Sequence, residues 1–229
     1  MTSPDTGLGA GITSFPGIAR IASRGNRMAT LISAFAFAFS GVSFYETVLK
    51  RPKLAAYVPP VMHYARDSGG DIELFAIPVT VLNDGARTGT VLAMELDVTD
   101  MKSGSSKRYY SAYLGDHPHS ADTTNRSFAP LSIPGRATFS DTVRFYPIGN
   151  PLPKLVDDAG DFRFSLTLQT ADPAHPDVLD WLFHAKPKPI VFERTLPWIS
   201  EQQLGSRRAT IAMRDRSWNP PAEPREEPK

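Results

Sequence analysis

His117 and His119 sit two residues apart within Gly115–Asp122, with Asp116 and Asp122 beside them. On an extended chain that spacing places two imidazoles on one side, where a carboxylate can complete a metal site, so His117, His119 and Asp122 are the weak metal-ligand candidates. Pro118 between them and the polar surroundings read first as a solvated loop. His63 lies in V-M-H-Y-A-R-D, where Tyr64, Arg66 and Asp67 form a polar cluster that a surface strand also explains; His175 and His184 have no partner at a useful spacing. Asp157, Asp158 and Asp161, and Asp67 with Asp71 around Ser68-Gly69-Gly70, cluster oxygen ligands of the kind calcium takes, without the regular spacing of a known loop. Gly7–Gly11 has neither a strand before it nor G-K-S/T after it, so it is a tail and not a phosphate loop. The G-x-S-x-G, H-E-x-x-H and S-x-x-K patterns do not occur. The residues therefore assign no catalytic group and no cofactor, and the chain reads as a non-enzyme.

Recognition chemistry has a better candidate in Lys107–Tyr113 (KRYYSAY). Strict alternation puts Tyr109, Ser111 and Tyr113 on one face and Arg108, Tyr110 and Ala112 on the other. One face packs inward; the other shows aromatics beside basic side chains, a composition enriched at protein contacts. Arg108, Tyr109, Tyr110 and Tyr113 are the interaction candidates. Past Arg207, Arg208, Arg214 and Arg216 the chain ends in a proline-rich, charged stretch, 217–229, expected to be a disordered tail.

These residues must be positioned by strands. Leu92, Met94, Leu96 and Val98 alternate with Ala93, Glu95, Asp97 and Thr99, and Phe162, Phe164, Leu166 and Leu168 alternate with polar residues in the same way. Further strands are expected at Ile72–Leu82, Lys107–Leu114, Ala137–Phe145, Pro189–Leu196 and Ala209–Arg214, with a short one at Phe128–Ile133. Asn83-Asp84-Gly85, Lys102–Ser105, Pro134-Gly135 and Asp157–Gly160 supply the turns. Pro78 marks a bulge or an edge, and Asp177–Ala185 is a helical turn or two. Seven or eight strands without crossover helices predict an antiparallel sandwich.

Ahead of the strands, Met28–Tyr45 carries no charge between Arg27 and Glu46, and Thr47, Val48 and Leu49 extend the segment to Lys50. At about 1.5 Å per residue it matches the hydrocarbon thickness of a bilayer, and Leu31, Phe35, Phe37 and Phe39 leave no polar stripe. A transmembrane helix at 28–49 is the expectation, with a lipid bilayer as its partner. Ala34, Ala38 and Gly41 supply a small-residue face for self-association. A cleaved signal peptide and a true start at Met28 are the alternatives. Arg20, Arg24 and Arg27 nearly balance Lys50, Arg51, Lys53 and Arg66, so the positive-inside rule is undecided; a short basic N-terminus favours the cytoplasm.

The chain has 25 Lys+Arg, 24 Asp+Glu, a net charge of +1 and no cysteine. That balance excludes a general nucleic-acid binder, and the missing cysteine excludes disulfides and thiolate metal sites. Asp158-Ala159-Gly160-Asp161-Phe162-Arg163-Phe164 resembles the D-x-G-x-Y-x-C corner of immunoglobulin-like domains, with Phe162 in the tyrosine place and Phe164 in the cysteine place. Val79–Gly89 and Ile133–Phe145 are similar to bacterial modules of that kind. Over about residues 28–200 the chain resembles uncharacterised bacterial single-pass membrane proteins carrying one Ig-like β-sandwich domain. The resemblance implies a mainly β protein: a tail at 1–27, the helix, a linker at 50–60 and an antiparallel Ig-like β-sandwich at 61–216. With the short basic N-terminus, the expected location is the inner membrane, N-terminus cytoplasmic and domain periplasmic. The expected function is a non-catalytic binding or assembly module of the cell envelope with an unknown protein partner; the alternative is an envelope metal-dependent hydrolase using the His117/His119 loop.

Overall fold

A computed structural model describes residues 16–66, 72–115, 125–171, 188–200, 202 and 210–218. The chain divides after Val48 into two compact units. The first holds a helix, α1 (Pro16–Phe44), which begins inside the segment expected as a tail and runs into a π-helical turn at Tyr45–Leu49. Met28–Leu49, 22 residues with none of the apolar run buried, is long and apolar enough to cross a membrane.

Among the described residues the second unit has eleven strands: β1 (Leu54–Tyr57), β2 (Val61–Arg66), β3 (Glu73–Asn83), β4 (Gly89–Asp100), β5 (Ser106–Leu114), β6 (Arg126–Ser127), β7 (Leu131–Ile133), β8 (Thr138–Pro147), β9 (Gly160–Thr170), β10 (Ile190–Leu196) and β11 (Thr210–Arg214). Every pairing is antiparallel. The order β5-β8-β3-β2-β11-β10-β9-β4 returns to β5, because β5 pairs with β8 along one edge and β4 along the other. The sheet therefore closes into an eight-strand barrel, and the expected Ig-like sandwich is corrected. A sandwich keeps two sheets with separate edges, whereas β5 joins here what would be the edges of both.

Period-two patterning drives this fold. Glu73, Phe75, Ile77, Val79, Val81 and Asn83, the alternate residues of β3, are all buried. Met94, Leu96 and Val98 of β4 and Phe162, Phe164, Leu166 and Leu168 of β9 line the same interior. Phe75 stands at its centre, with ring centroids 5.6 Å from Tyr64, 5.0 Å from Tyr109 and 5.4 Å from Phe164, tilted or edge-on as aromatic quadrupoles prefer. The interior is a packed core, as expected when eight strands close. Phe162 and Phe164 thus serve the barrel interior and not an immunoglobulin-type corner, and Asp158 of that motif meets Lys102 at 3.3 Å.

The region read as a linker contains β1. With β2 it acts as one strand broken at Val58-Pro59-Pro60: β2 pairs with Glu73–Ala76 of β3 and β1 with Thr80–Asn83. Pro78, which has no N–H to donate, falls in the gap between those two ladders while keeping its place opposite Thr142 of β8. The local edge that its type demanded is supplied by the break in its neighbour.

Candidate functional site

The wall formed by β5 and β8 carries the interaction candidates, rearranged by one residue. Between Ser111 and Tyr113 the β5–β8 register shifts, and the displaced Ala112 carbonyl accepts the Phe128 N–H at 2.8 Å. A bulge adds one residue to one strand and reverses the alternation beyond it. Tyr113 is thereby turned from the Tyr109 face to the Tyr110 face. Tyr110 and Tyr113 are 46% and 41% exposed, Arg108 is exposed, and Tyr109 lies wholly in the interior. Opposite Tyr110 stands Tyr146 of β8, whose ring meets that of Tyr113 edge-on at 5.8 Å. Ile148, 41% exposed, continues the ladder by donating its N–H to the Arg108 carbonyl. The outer wall thus shows three tyrosines, an isoleucine and an arginine side by side. Tyr146 also packs on a second buried cluster, Ala65, Leu74 and Ala76, which anchors the patch to the sheet.

Tyr109 belongs instead to a buried polar node. Its hydroxyl donates to Glu73 Oε1 at 2.8 Å, and Lys107 Nζ donates to the same oxygen at 3.2 Å and to the carbonyls of Pro151 and Pro153. The N–H groups of Leu155 and Val156 donate to the Glu73 carboxylate at 2.9–3.3 Å. A buried carboxylate survives only when paired and hydrogen-bonded, and here the arrangement fastens the 151–156 segment over one end of the barrel. Nearby, the Tyr64 hydroxyl accepts from Arg66 Nε at 3.1 Å; burial first, and the Glu73 charge after it, push the Tyr64 phenol up to about 12. Burial likewise pushes the Tyr109 phenol up.

A third feature is the seam between β10 and β11, where Thr195↔Arg214 is the one registered pair among the described residues. Buried Arg194 bridges the weak ladder with its side chain, donating to the Pro59 carbonyl at 2.6 Å and to Asp215 Oδ2 at 3.2 Å, while its guanidinium lies over Phe192. Burial lowers the Arg194 pKa and the Asp215 charge opposes that shift. A groove of about 510 Å³ runs along the seam past Thr195, Pro197, Ile211 and Arg214.

The remaining sequence candidates part ways. His117, His119 and Asp122, with His175, His184, Asp67, Asp71 and the 177–185 stretch, lie outside the described residues. His63 is exposed on β2. The carboxylates of Asp158 and Asp161 are occupied, Asp158 by the Ala159 N–H and Lys102, and Asp161 by the Thr195 hydroxyl at 2.6 Å. Among the described residues no group of three metal-ligating side chains converges.

Glu73 and Arg194 went unread in the sequence although a signal was present. Each is a charged residue on the apolar parity of its strand, Glu73 with Phe75, Ile77, Val79 and Val81, and Arg194 with Phe192 and Leu196.

No protein-family model matches the chain, and no curated protein matches it either. Among solved structures, the crystal structure of the ApaA protein from Bordetella pertussis is similar at 15% identity and a TM-score of 0.25, covering 74% of this chain and 98% of that one. The structural-genomics target SoR45 is similar at 11% identity and a TM-score of 0.31, covering 61% of this chain and 84% of that one. Likeness at that level carries no functional argument, so the reading rests on the chain's own surface.

Proposed function

We propose that the protein is a membrane-anchored binding module whose barrel wall at β5 and β8 docks a protein partner. The observation that carries this reading is the outward cluster of Tyr110, Tyr113 and Tyr146 beside Arg108. Tyrosine and arginine dominate the energetic centres of protein contacts because they combine large contact area with polar tips. An eight-strand barrel whose interior is filled leaves its outer surface and loops for recognition. The apolar segment at 28–49 supports an anchor in the bacterial inner membrane, with the N-terminus in the cytoplasm and the barrel in the periplasm. Ala34, Ala38 and Gly41, all exposed on α1, suit self-association of the anchors.

A photocrosslinking amino acid placed at Tyr110 in cells tests the docking wall. The expected result is one discrete adduct in the membrane fraction, lost when Tyr113 and Tyr146 are replaced by alanine. The same crosslinker at Val191, 61% exposed on β10, should give none. Equal adducts at both positions, or none at Tyr110, would sink the reading. Reporter fusions after Lys229 test the orientation: activity of a cytoplasmic reporter there would reverse it.

A further inference from the structure

The chain leaves the apolar segment at Lys50 and is fastened to the barrel at once. The Lys50 carbonyl accepts the N–H groups of Ala86 at 2.9 Å and Arg87 at 3.1 Å, and the Lys53 carbonyl accepts that of Asp84 at 3.0 Å. Buried Asn83 ties the rest together. Its Oδ1 accepts from Lys53 and Gly85, and its Nδ2 donates to the carbonyls of Arg87 and Ile133. The Arg136 N–H donates to the Gly85 carbonyl at 2.9 Å. A methyl group at Gly85 would overlap the Arg51 carbonyl, and one at Gly135 the Ala86 carbonyl. Residues 50–53, the β3–β4 turn and the β7–β8 turn are therefore one body.

That body gathers five cations from three distant stretches: Lys50, Arg51, Lys53, Arg87 and Arg136. The acidic residue among those stretches is Asp84, 3.7 Å from Lys50 Nζ. Arg136 sits at φ 59°, a region that non-glycine residues seldom occupy, and it is exposed, as are Arg87 and Lys53. Five cations thus stand against one carboxylate at the end of the barrel where the chain enters at Lys50.

We infer that this end of the barrel docks on the phosphate headgroups of anionic lipid, Arg87 and Arg136 completing a basic collar begun by Lys50, Arg51 and Lys53. The inference rests on the membrane reading proposed above. Guanidinium groups bind phosphate bidentately, and each basic side chain near an anionic surface strengthens association roughly fivefold.

Absence of cysteine makes the test clean. The full chain, carrying a fluorophore at Thr88→Cys or Ser103→Cys, is reconstituted into phosphatidylcholine vesicles with or without phosphatidylglycerol, together with a lipid bearing a quencher on its headgroup. Thr88 adjoins Arg87, whereas Ser103 lies roughly 35 Å away along an extended strand. Quenching should be strong at position 88 and weak at 103. It should rise with phosphatidylglycerol and return to the phosphatidylcholine level in R87E/R136E, with R87Q/R136Q giving a smaller drop in the same direction. Equal quenching at the two positions, or quenching at 88 that ignores both lipid charge and charge reversal, would overturn the inference while leaving the anchor intact. Protein stripped from the vesicles by alkaline carbonate would instead overturn the membrane reading and the inference with it.

Discussion

Glu73 meets a tyrosine hydroxyl, a lysine ammonium and two backbone N–H groups inside the barrel, so its worth is best judged by what deletion leaves behind. Truncation to alanine strands several buried donors, each costing about 1–3 kcal/mol, and Glu73→Ala should lower unfolding stability by about 3–5 kcal/mol in urea titrations. Glu73→Gln keeps one acceptor and should lose less; equal stability of E73A and the wild type would refute the role. Tyr64 gives a pH dependence. Its folded pKa, about 12, exceeds the ordinary 10.0, so its contribution is complete below pH 10 and is lost as pH rises from about 10 towards 12. Thermal melts followed across that range should show the decline, and Tyr64→Phe should flatten part of it, with Tyr109 retaining the rest. At this scale the sequence was only half legible. The tyrosine-rich stretch was placed on a strand, yet Tyr109 turned inward and Tyr113 outward, because alternation counts residues and the bulge at Ala112 adds one that composition does not reveal.

Elements were more readable than their joints. The alternation in β3, β4, β5, β8 and β9 marks each strand to within a few residues, since a half-buried strand must show one apolar face. β1 escaped, since its four residues are too few for a period to register, and β2 was read only as a surface strand around His63, whereas all of it but Val61 and His63 is buried. The Asn83 node was legible only as a turn. Asn83-Asp84-Gly85 announces a reversal, but the approach of the Arg51 carbonyl to Gly85 comes from a contact 34 residues away in sequence, beyond any local pattern. Gly85→Ala should therefore expel residues 50–53 from the turn. Hydrogen exchange at the Ala86 and Arg87 amides, bonded to Lys50, should accelerate at least tenfold while the β4–β9 amides hold; unchanged exchange would mean that the segment has room to yield.

Closure of the sheet is a property of the whole molecule and left no trace in the strands taken singly. A sandwich and a barrel require the same alternation, since both bury one face of each strand. What separates them here is the second edge of β5, and the D-x-G-x-F-x-F similarity to an immunoglobulin-type corner pointed to the wrong alternative. The ring is not uniform: among the described residues β9 and β10 share seven registered pairs, and β10 and β11 share one. Native-state hydrogen exchange should accordingly find β11 amides opening first and β4–β9 amides last. Arg194→Met, which removes the bridges to Pro59 and Asp215, should widen that difference without altering the order.

The Asn83 node also has a mechanical meaning. Any tension borne by the apolar segment enters the barrel at Lys50 and is shared by the bonds from Ala86, Arg87 and Asp84 and by Asn83 before it reaches the β1–β3 ladder. Loaded together, those bonds resist rupture better than a ladder peeled one rung at a time. The node is then a strain relief: a pull on residue 50 loads all of these bonds before it can peel the first strand.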